Sequence, residues 1–296
     1  MAEITETLPN VSIVVLMDEN TELLPIFLNN YHTLDYPKDK LEWIIIDDSE
    51  KSNMDLFPLE ENVIYIHMDN SKEYLEKIEF KEKDEEKNKF LTDYFLKTNT
   101  LPNGFKRDFG VGLTENEYIL HLDFDAHYDN KVLKKKLKFL QKSKLECVYC
   151  DSMLCYFNDK IYKTEESLRA FEGTILHTKE FWKKGGFEWH ELYNEGNTFH
   201  YNKGNDRKME NYYDCIKFIN MHNVNDYQYK EIKLDGKEID KPEYLKTIVL
   251  KDNKIKHMLK KLFKKDFTIL GLNSKIIDNF SEDKENILIE KKEKEK

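Results

Sequence analysis

The apolar pattern opens with Val11–Met17 (VSIVVLM), a short run rich in β-branched residues that reads as a strand buried on both faces. Leu24, Phe27, Leu28 and Tyr31 then recur at i, i+3, i+4, i+7, the stripe of a core-facing helix with Pro25 in its first turn. Leu41–Asp47 (LEWIIID) and Asn62–His67 (NVIYIH) read as two more buried strands. Strand, helix, strand at this spacing is a βαβ unit, which predicts a parallel sheet with right-handed crossovers. The segment from Ser71 to Thr98 is densely charged with mixed sign, which favours a solvated helix over a tail. Asn103–Gly112 reads as a loop leading into a helix, and Glu117–Leu122 as a fourth strand with Asp123-Phe124-Asp125 at its carboxyl end. Lys131–Lys144 has the pattern of an amphipathic helix with a basic outer face, and Cys147–Phe157 that of a fifth strand. Arg169–Lys184 mixes strand and helix signals and runs into Gly185-Gly186-Phe187.

Past Asn223 the pattern changes. Lys251–Lys265 places Ile255, Met258, Leu259, Leu262 and Phe263 on one helical face under a cover of lysines, and Ser281–Lys296 is a charged tail expected to be disordered. The expected organisation is an α/β domain over residues 1–222 and a helical, Lys-rich extension over 223–296. The basic helix could lie on an anionic membrane surface. Packing on the domain with lysines outward is the preferred reading, so peripheral membrane contact is not favoured.

With 296 residues there is ample chain for a large core. The formal net charge of −10 argues against a basic nucleic-acid footprint, so no nucleic-acid partner is expected. The first ten residues carry Glu3 and Glu6 without an apolar stretch, so no signal peptide is expected, and four cysteines over this length suit a reducing compartment, hence the cytoplasm. Cys147-x-x-Cys150 with Cys155 and Cys215 lacks the regular spacing of a zinc site and reads as small core hydrophobes. Gly110-Val111-Gly112 is no dinucleotide fingerprint, because Glu115 stands where the third glycine belongs.

Ligands of open parallel α/β sheets sit outside the carboxyl ends of the strands. Two acidic clusters fall at such ends, Asp47-Asp48 and Asp123-x-Asp125. Alternate carboxylates just beyond a strand can share a hard divalent cation together with substrate phosphates. Lysine outnumbers arginine 44 to 3, so Arg107, Arg169 and Arg207 draw attention, Arg107 above all, because a planar fork suits phosphate oxygens.

On these residues a resemblance stands. VSIVVLMDEN…LDYPKDKLEWIIIDDSEKS resembles the opening of family 2 glycosyltransferases with the GT-A fold: a first strand, a helix, a Y-P loop and a second strand ending in paired aspartates. Lys106-Arg107-Asp108-Phe109-Gly110 is similar to the family's A-R-N-x-G. Glu117-Tyr118-Ile119 with Leu122-Asp123-Phe124-Asp125 is similar to its G-E-Y-I-x-x-L-D-x-D, at the usual sixteen-residue step from Arg107 to Asp123. Lys184-Gly185-Gly186-Phe187-Glu188 resembles the G-G-F block before the acceptor side. The likeness covers about residues 11–200.

The resemblance implies a Rossmann-like, mostly parallel sheet flanked by helices. It implies a metal-dependent, inverting transfer, of the hexosyl class, from a nucleotide-sugar, expected to be a UDP-sugar, to a hydroxyl of an unidentified glycan or protein acceptor. Asp48, helped by Asp47, would contact the base, Arg107 the diphosphate, Asp123 the ribose or the metal, and Asp125 the metal, Mn²⁺ or Mg²⁺, with His200 as a further ligand. Inversion needs one general base. Glu195 in YNEGNT is the first candidate and Asp206 in GNDRKME the alternative. Departures keep a second reading open, a GT-A-like module that binds a glycan or protein without turnover: Gly196 replaces the second acid of the family's E-D pair, Asp108 its Asn, and Asp18-Glu19-Asn20 the usual end of the first strand.

Overall fold

The computed structural model describes residues 8–17, 24–57, 60–68, 100–157, 160–164, 170–189, 191, 195–201, 203–208, 215–218 and 245–247, with isolated helical positions at 85–86, 89, 93–94 and 97 and residue 100 continuing the chain. Outside the described residues lie Asp18–Asn20, most of the charged segment 71–98, Arg169, and all of 223–296 except Leu245–Thr247, including the basic stripe 251–265 and the tail.

A seven-stranded sheet forms the centre, in the order β10-β6-β9-β4-β1-β2-β3. Its strands are β1 (Val11–Met17), β2 (Leu41–Asp47), β3 (Val63–His67), β4 (Tyr118–Asp123), β6 (Cys147–Tyr149), β9 (Leu176–Thr178) and β10 (Asp206–Lys208). β4, β1, β2 and β3 are parallel, and β9 runs antiparallel between β4 and β6. Alternation along the chain explains why both faces are apolar. Val11, Ile13, Val15 and Met17 of β1 join one core with Leu41, Trp43 and Ile45 of β2, while Val14 joins Ile44 and Ile46 in the other. The first core is covered by α1 (Leu24–Thr33) and α3 (Val132–Ser143), with Phe27 edge-on to Trp43 at 5.7 Å. The second is covered by α2 (Asn103–Leu113), α4 (Lys179–Lys183) and α5 (Glu195–His200), through Phe105, Phe181 and Phe199.

Helix α2 lies directly on the sheet. A Cβ at Gly110 would come within 2.8 Å of Val14 Cγ1 and 3.3 Å of Ile46 Cγ1, so the glycine sets how near the helix approaches β1 and β2. This closeness lets the preceding turn of α2 reach the strand ends. No helix among the described residues is long and apolar enough to cross a membrane.

Two sequence expectations change: Asn103–Gly112, read as a loop leading into a helix, is itself helical, and the fifth strand divides. Cys147–Phe157 is not one strand. It breaks at 150–153, where the Cys150 carbonyl accepts the Phe171 N–H and the Cys150 N–H donates to Thr174 Oγ1, and it divides into β6 and β7 (Leu154–Phe157). β7 belongs to a second sheet of five strands, β12-β8-β7-β11-β5, which hydropathy did not foreshadow: β5 (Ala126–Tyr128), β8 (Lys160–Thr164), β11 (Cys215–Phe218) and β12 (Leu245–Thr247) complete it. After residue 223 the described residues are Leu245–Thr247, a strand antiparallel to β8, and the helical stripe expected at 251–265 lies outside them.

Candidate functional site

The register of the parallel strands aligns the two acidic clusters. Met17 of β1 pairs with Asp47 on one side, and Leu16 pairs with Asp123 on the other. Asp47 and Asp123 thus stand at one edge, two strand spacings or roughly 10 Å apart.

Successive residues of α2 tie that edge together. Lys106 Nζ lies 2.9 Å from Asp48 Oδ1, while the Leu101 N–H donates to Asp48 Oδ2 at 3.0 Å. Arg107 projects toward β4: Nη2 donates to Asp123 Oδ1 at 2.9 Å and Nε to Glu195 Oε1 at 2.6 Å. The guanidinium is only 4% exposed, a burial tolerated because it has two carboxylate partners. Asp47 holds its own loop by accepting from Ser49, Asn53 and Tyr65.

A buried histidine pair completes the setting of Arg107. His177 Nδ1–H donates to the Thr178 carbonyl at 2.8 Å, which leaves His177 Nε2 to accept from His121 Nε2–H at 3.0 Å. His121 Nδ1 then faces Arg107 Nη1 at 3.4 Å as an acceptor. The chain requires both rings neutral. Burial keeps them so, pushing His177 down to about 3 and His121 well below the ordinary histidine range.

Glu195, at the start of α5, is 2% exposed. Burial, then the nearby Glu172 carboxylate, raise its pKa to about 7 against the lowering pull of Arg107. Glu172 holds the α5 entry by accepting the Gly196 N–H at 3.1 Å. Asp123 behaves oppositely: although burial opposes it, the Lys217 ammonium and the Arg107 guanidinium hold its pKa below the ordinary value. Lys217 of β11 lies 3.2 Å from Asp123 Oδ2 and 3.6 Å from Asp125 Oδ1.

Two glycines permit this packing. A Cβ at Gly173 would collide with the Asp123 carboxylate, and one at Gly186, whose φ is +62°, would collide with Asp108. Asp108 accepts from Trp182 Nε1 at 2.6 Å, the Phe187 N–H at 3.0 Å and Trp189 Nε1 at 2.8 Å, so it fastens the Gly-Gly-Phe turn to α2. Phe187 in turn packs edge-on to His121 at 5.1 Å.

Asp206 and His200 lie elsewhere. They pair with each other, His200 Nδ1 to Asp206 Oδ2 at 3.2 Å, and His200 packs on Tyr149. Through Cys147 and His177, register sets Asp206 level with Ile119, four residues below Asp123 and three strands across. At strand spacings that is roughly 20 Å. The structure therefore brings together Asp47, Asp48, Arg107, Asp123, Asp125 and Glu195, and it separates Asp206 and His200 from them.

The donor set also bears on the expected metal. Both oxygens of Asp123 already face cations, and the same lysine ammonium sits beside Asp125. Among the described residues no three His, Cys, Asp or Glu side chains form a cluster that could hold a metal ion. As arranged, these residues do not fit a divalent cation. Cys147, Cys150 and Cys215 are buried and in no disulfide.

Sequence reading missed Lys106, His121, Glu172, Gly173, His177 and Lys217. The lysines were indistinguishable among 44, and the histidines fall inside strands, where they read as core.

The architecture defined by this sheet and its strand-end carboxylates is the GT-A fold of the glycosyltransferases. Among solved structures the chain is similar to S. aureus TarS 1-349 in complex with UDP-GlcNAc, with a TM-score of 0.53, 14% identity, and coverage of 90% of this chain and 74% of that one. A second structure of TarS 1-349 gives a TM-score of 0.49 at 13% identity over 71% of this chain and 60% of that chain. The mannosyltransferase PcManGT from Pyrobaculum calidifontis, in complex with GDP-Man and Mn²⁺, gives 0.49 at 12% identity over 93% and 74%. This chain spans 44% of the longer TarS structure. No family model and no curated protein sequence matches it.

Proposed function

We propose that the protein is a glycosyltransferase that moves a sugar from a nucleotide-sugar, a UDP-sugar in the first instance, to a hydroxyl acceptor with inversion. The observation that carries this reading is the alignment of two acidic clusters at one edge of a parallel sheet, bridged by Lys106 and Arg107 from a single helix turn. By the family resemblance the Asp47–Asp48 end would take the base and the Arg107–Asp123 end the ribose and diphosphate, and a planar guanidinium suits phosphate oxygens. That a solved structure similar to this chain carries UDP-GlcNAc supports the same reading.

In this reading the acceptor oxygen bonds to the anomeric carbon as the carbon–oxygen bond to the diphosphate breaks. The bonding pair stays on the diphosphate oxygen, and the acceptor proton passes to Glu195. Its pKa of about 7 suits a general base working near neutral pH. Arg107 must exchange part of its contact with Glu195 or Asp123 for a phosphate, and the neutral His121–His177 pair keeps the guanidinium aimed while it does so.

A second reading, a binding module without turnover, is favoured by two observations: every nitrogen of Arg107 already faces a group of the protein, and Gly196 follows Glu195 where a second acid was expected. A screen for nucleoside diphosphate release across UDP- and GDP-sugars, with and without Mn²⁺, separates the two. Slow donor hydrolysis by the wild type, lost in Arg107→Lys, supports the enzyme. Tight nucleotide-sugar binding with no release under any condition supports the module.

A further inference from the structure

We propose that Lys217 supplies, from the protein itself, the positive charge that the Asp123-x-Asp125 pair would otherwise take from a divalent cation. The inference rests on the nucleotide-sugar reading for what the charge is used for, though not for where the charge sits.

Three observations carry it. The first is position: the ammonium lies between the two carboxylates, 3.2 Å from Asp123 Oδ2 and 3.6 Å from Asp125 Oδ1. The second is how it is brought there. Lys217 is on β11, which is paired on both sides, antiparallel to β5 with Lys217 opposite Ala126, and parallel to β7. Ala126 directly follows Asp125, so the register itself delivers the lysine to the acidic turn, and the flanking Cys215 and Ile216 are buried anchors. The third is charge. Arg107 neutralises the other oxygen of Asp123, so two cations already face these two aspartates. A divalent ion entering the same space would meet an ammonium and a guanidinium within a few ångströms, and like charges so close repel strongly in a partly buried site.

An ammonium has three N–H donors. Two suffice for the carboxylates, and the Lys217 side chain is 34% exposed, so a donor phosphate can approach it from solvent. Lysine binds phosphate as a point charge, the role expected of a metal ion there. Lys217 would then hold the diphosphate, together with Arg107, and stabilise the negative charge left on it as the sugar departs.

The test reads metal and nucleotide separately, on the full chain. Mn²⁺ is titrated into wild type, Lys217→Met, Lys217→Arg and Asp125→Asn and followed by electron paramagnetic resonance, and UDP affinity is measured by calorimetry in EDTA and in Mn²⁺. Wild type and Lys217→Arg are expected to leave Mn²⁺ free and to bind UDP equally in both buffers. Lys217→Met should gain a Mn²⁺ site and lose UDP affinity by about ten- to hundredfold in EDTA, the worth of a hydrogen bond to a charged group, with recovery in Mn²⁺. Stoichiometric Mn²⁺ binding by wild type that Asp125→Asn removes would overturn the proposal, and that measurement needs no variant at position 217 to fold. If wild type binds no UDP in either buffer, the nucleotide-sugar reading fails instead. The Mn²⁺ titration still decides the lysine's place: a site gained in Lys217→Met supports it, and equal Mn²⁺ binding by wild type and Lys217→Met refutes it.

Discussion

Glu195→Gln removes one charge from the Arg107 cluster and keeps the shape and an oxygen that can still accept from Nε. The wild-type carboxyl has its pKa raised from 4.5 to about 7, by burial first and by Glu172 second. The folded protein therefore holds this proton more tightly than the unfolded chain does. Between about pH 4.5 and 7 the folded state binds more protons, and stability falls as pH rises through that window. At about 1.4 kcal/mol per unit, the ionised form is disfavoured by roughly 3 kcal/mol above pH 7. Glutamine does not titrate. Urea unfolding at pH 5 and pH 8 should show the gap between wild type and variant shifting by about 2–3 kcal/mol in the variant's favour at the higher pH. Turnover should move the other way. Wild-type kcat/KM should rise about tenfold per unit below pH 7 and level off above it, whereas the variant should be pH-flat and slower by about 10²–10⁴. A stability gap that does not change between pH 5 and 8 would refute the buried, high-pKa carboxyl. A variant retaining the wild-type rate and pH profile would refute its role as the base.

Asp206→Asn should keep nucleoside diphosphate release near the wild-type rate, because the residue is roughly 20 Å from Asp123 by strand geometry; a dead variant would return the base to that loop. Gly173→Ala puts a methyl group into the Asp123 carboxylate and should cut turnover by roughly a hundredfold with little change in melting temperature, a displacement effect that unchanged kinetics would disprove. Asp108→Ala strips the acceptor from two indole N–H groups and the Phe187 amide; denaturant titration should show a loss of about 3 kcal/mol with a change in tryptophan emission, and a loss near zero would mean the Gly-Gly-Phe turn is held by other contacts. Asp48→Ala should weaken UDP binding in calorimetry by about tenfold or more, with or without acceptor, and unchanged affinity would show that the β2 end is not the base pocket.

Much of this was legible in the chain before any coordinates. The unbroken apolar runs of β1 and β2 mean burial on both faces, and that forces a covered parallel sheet whose carboxyl edge collects Asp47 and Asp123. Arg107, rare in a lysine-rich chain and sixteen residues before Asp123, does meet it, because α2 leads straight back into β4. These are local signals: periodicity, strand ends and short connections. Only the tertiary structure sets Glu195 against Arg107 and Asp206 away from Asp123, since each is a loop acid in sequence, and it takes the Arg107 contact for the one and the pairing of β4, β9, β6 and β10 for the other to say where it lies. The same holds for Lys217, the His121–His177 pair and the second sheet. β9 and the strands of the second sheet run three to five residues, too short to show a period, and the partners lie tens of residues away in the chain. What brings such groups together is strand register and burial across the whole sheet, and hydropathy along the chain holds no record of either.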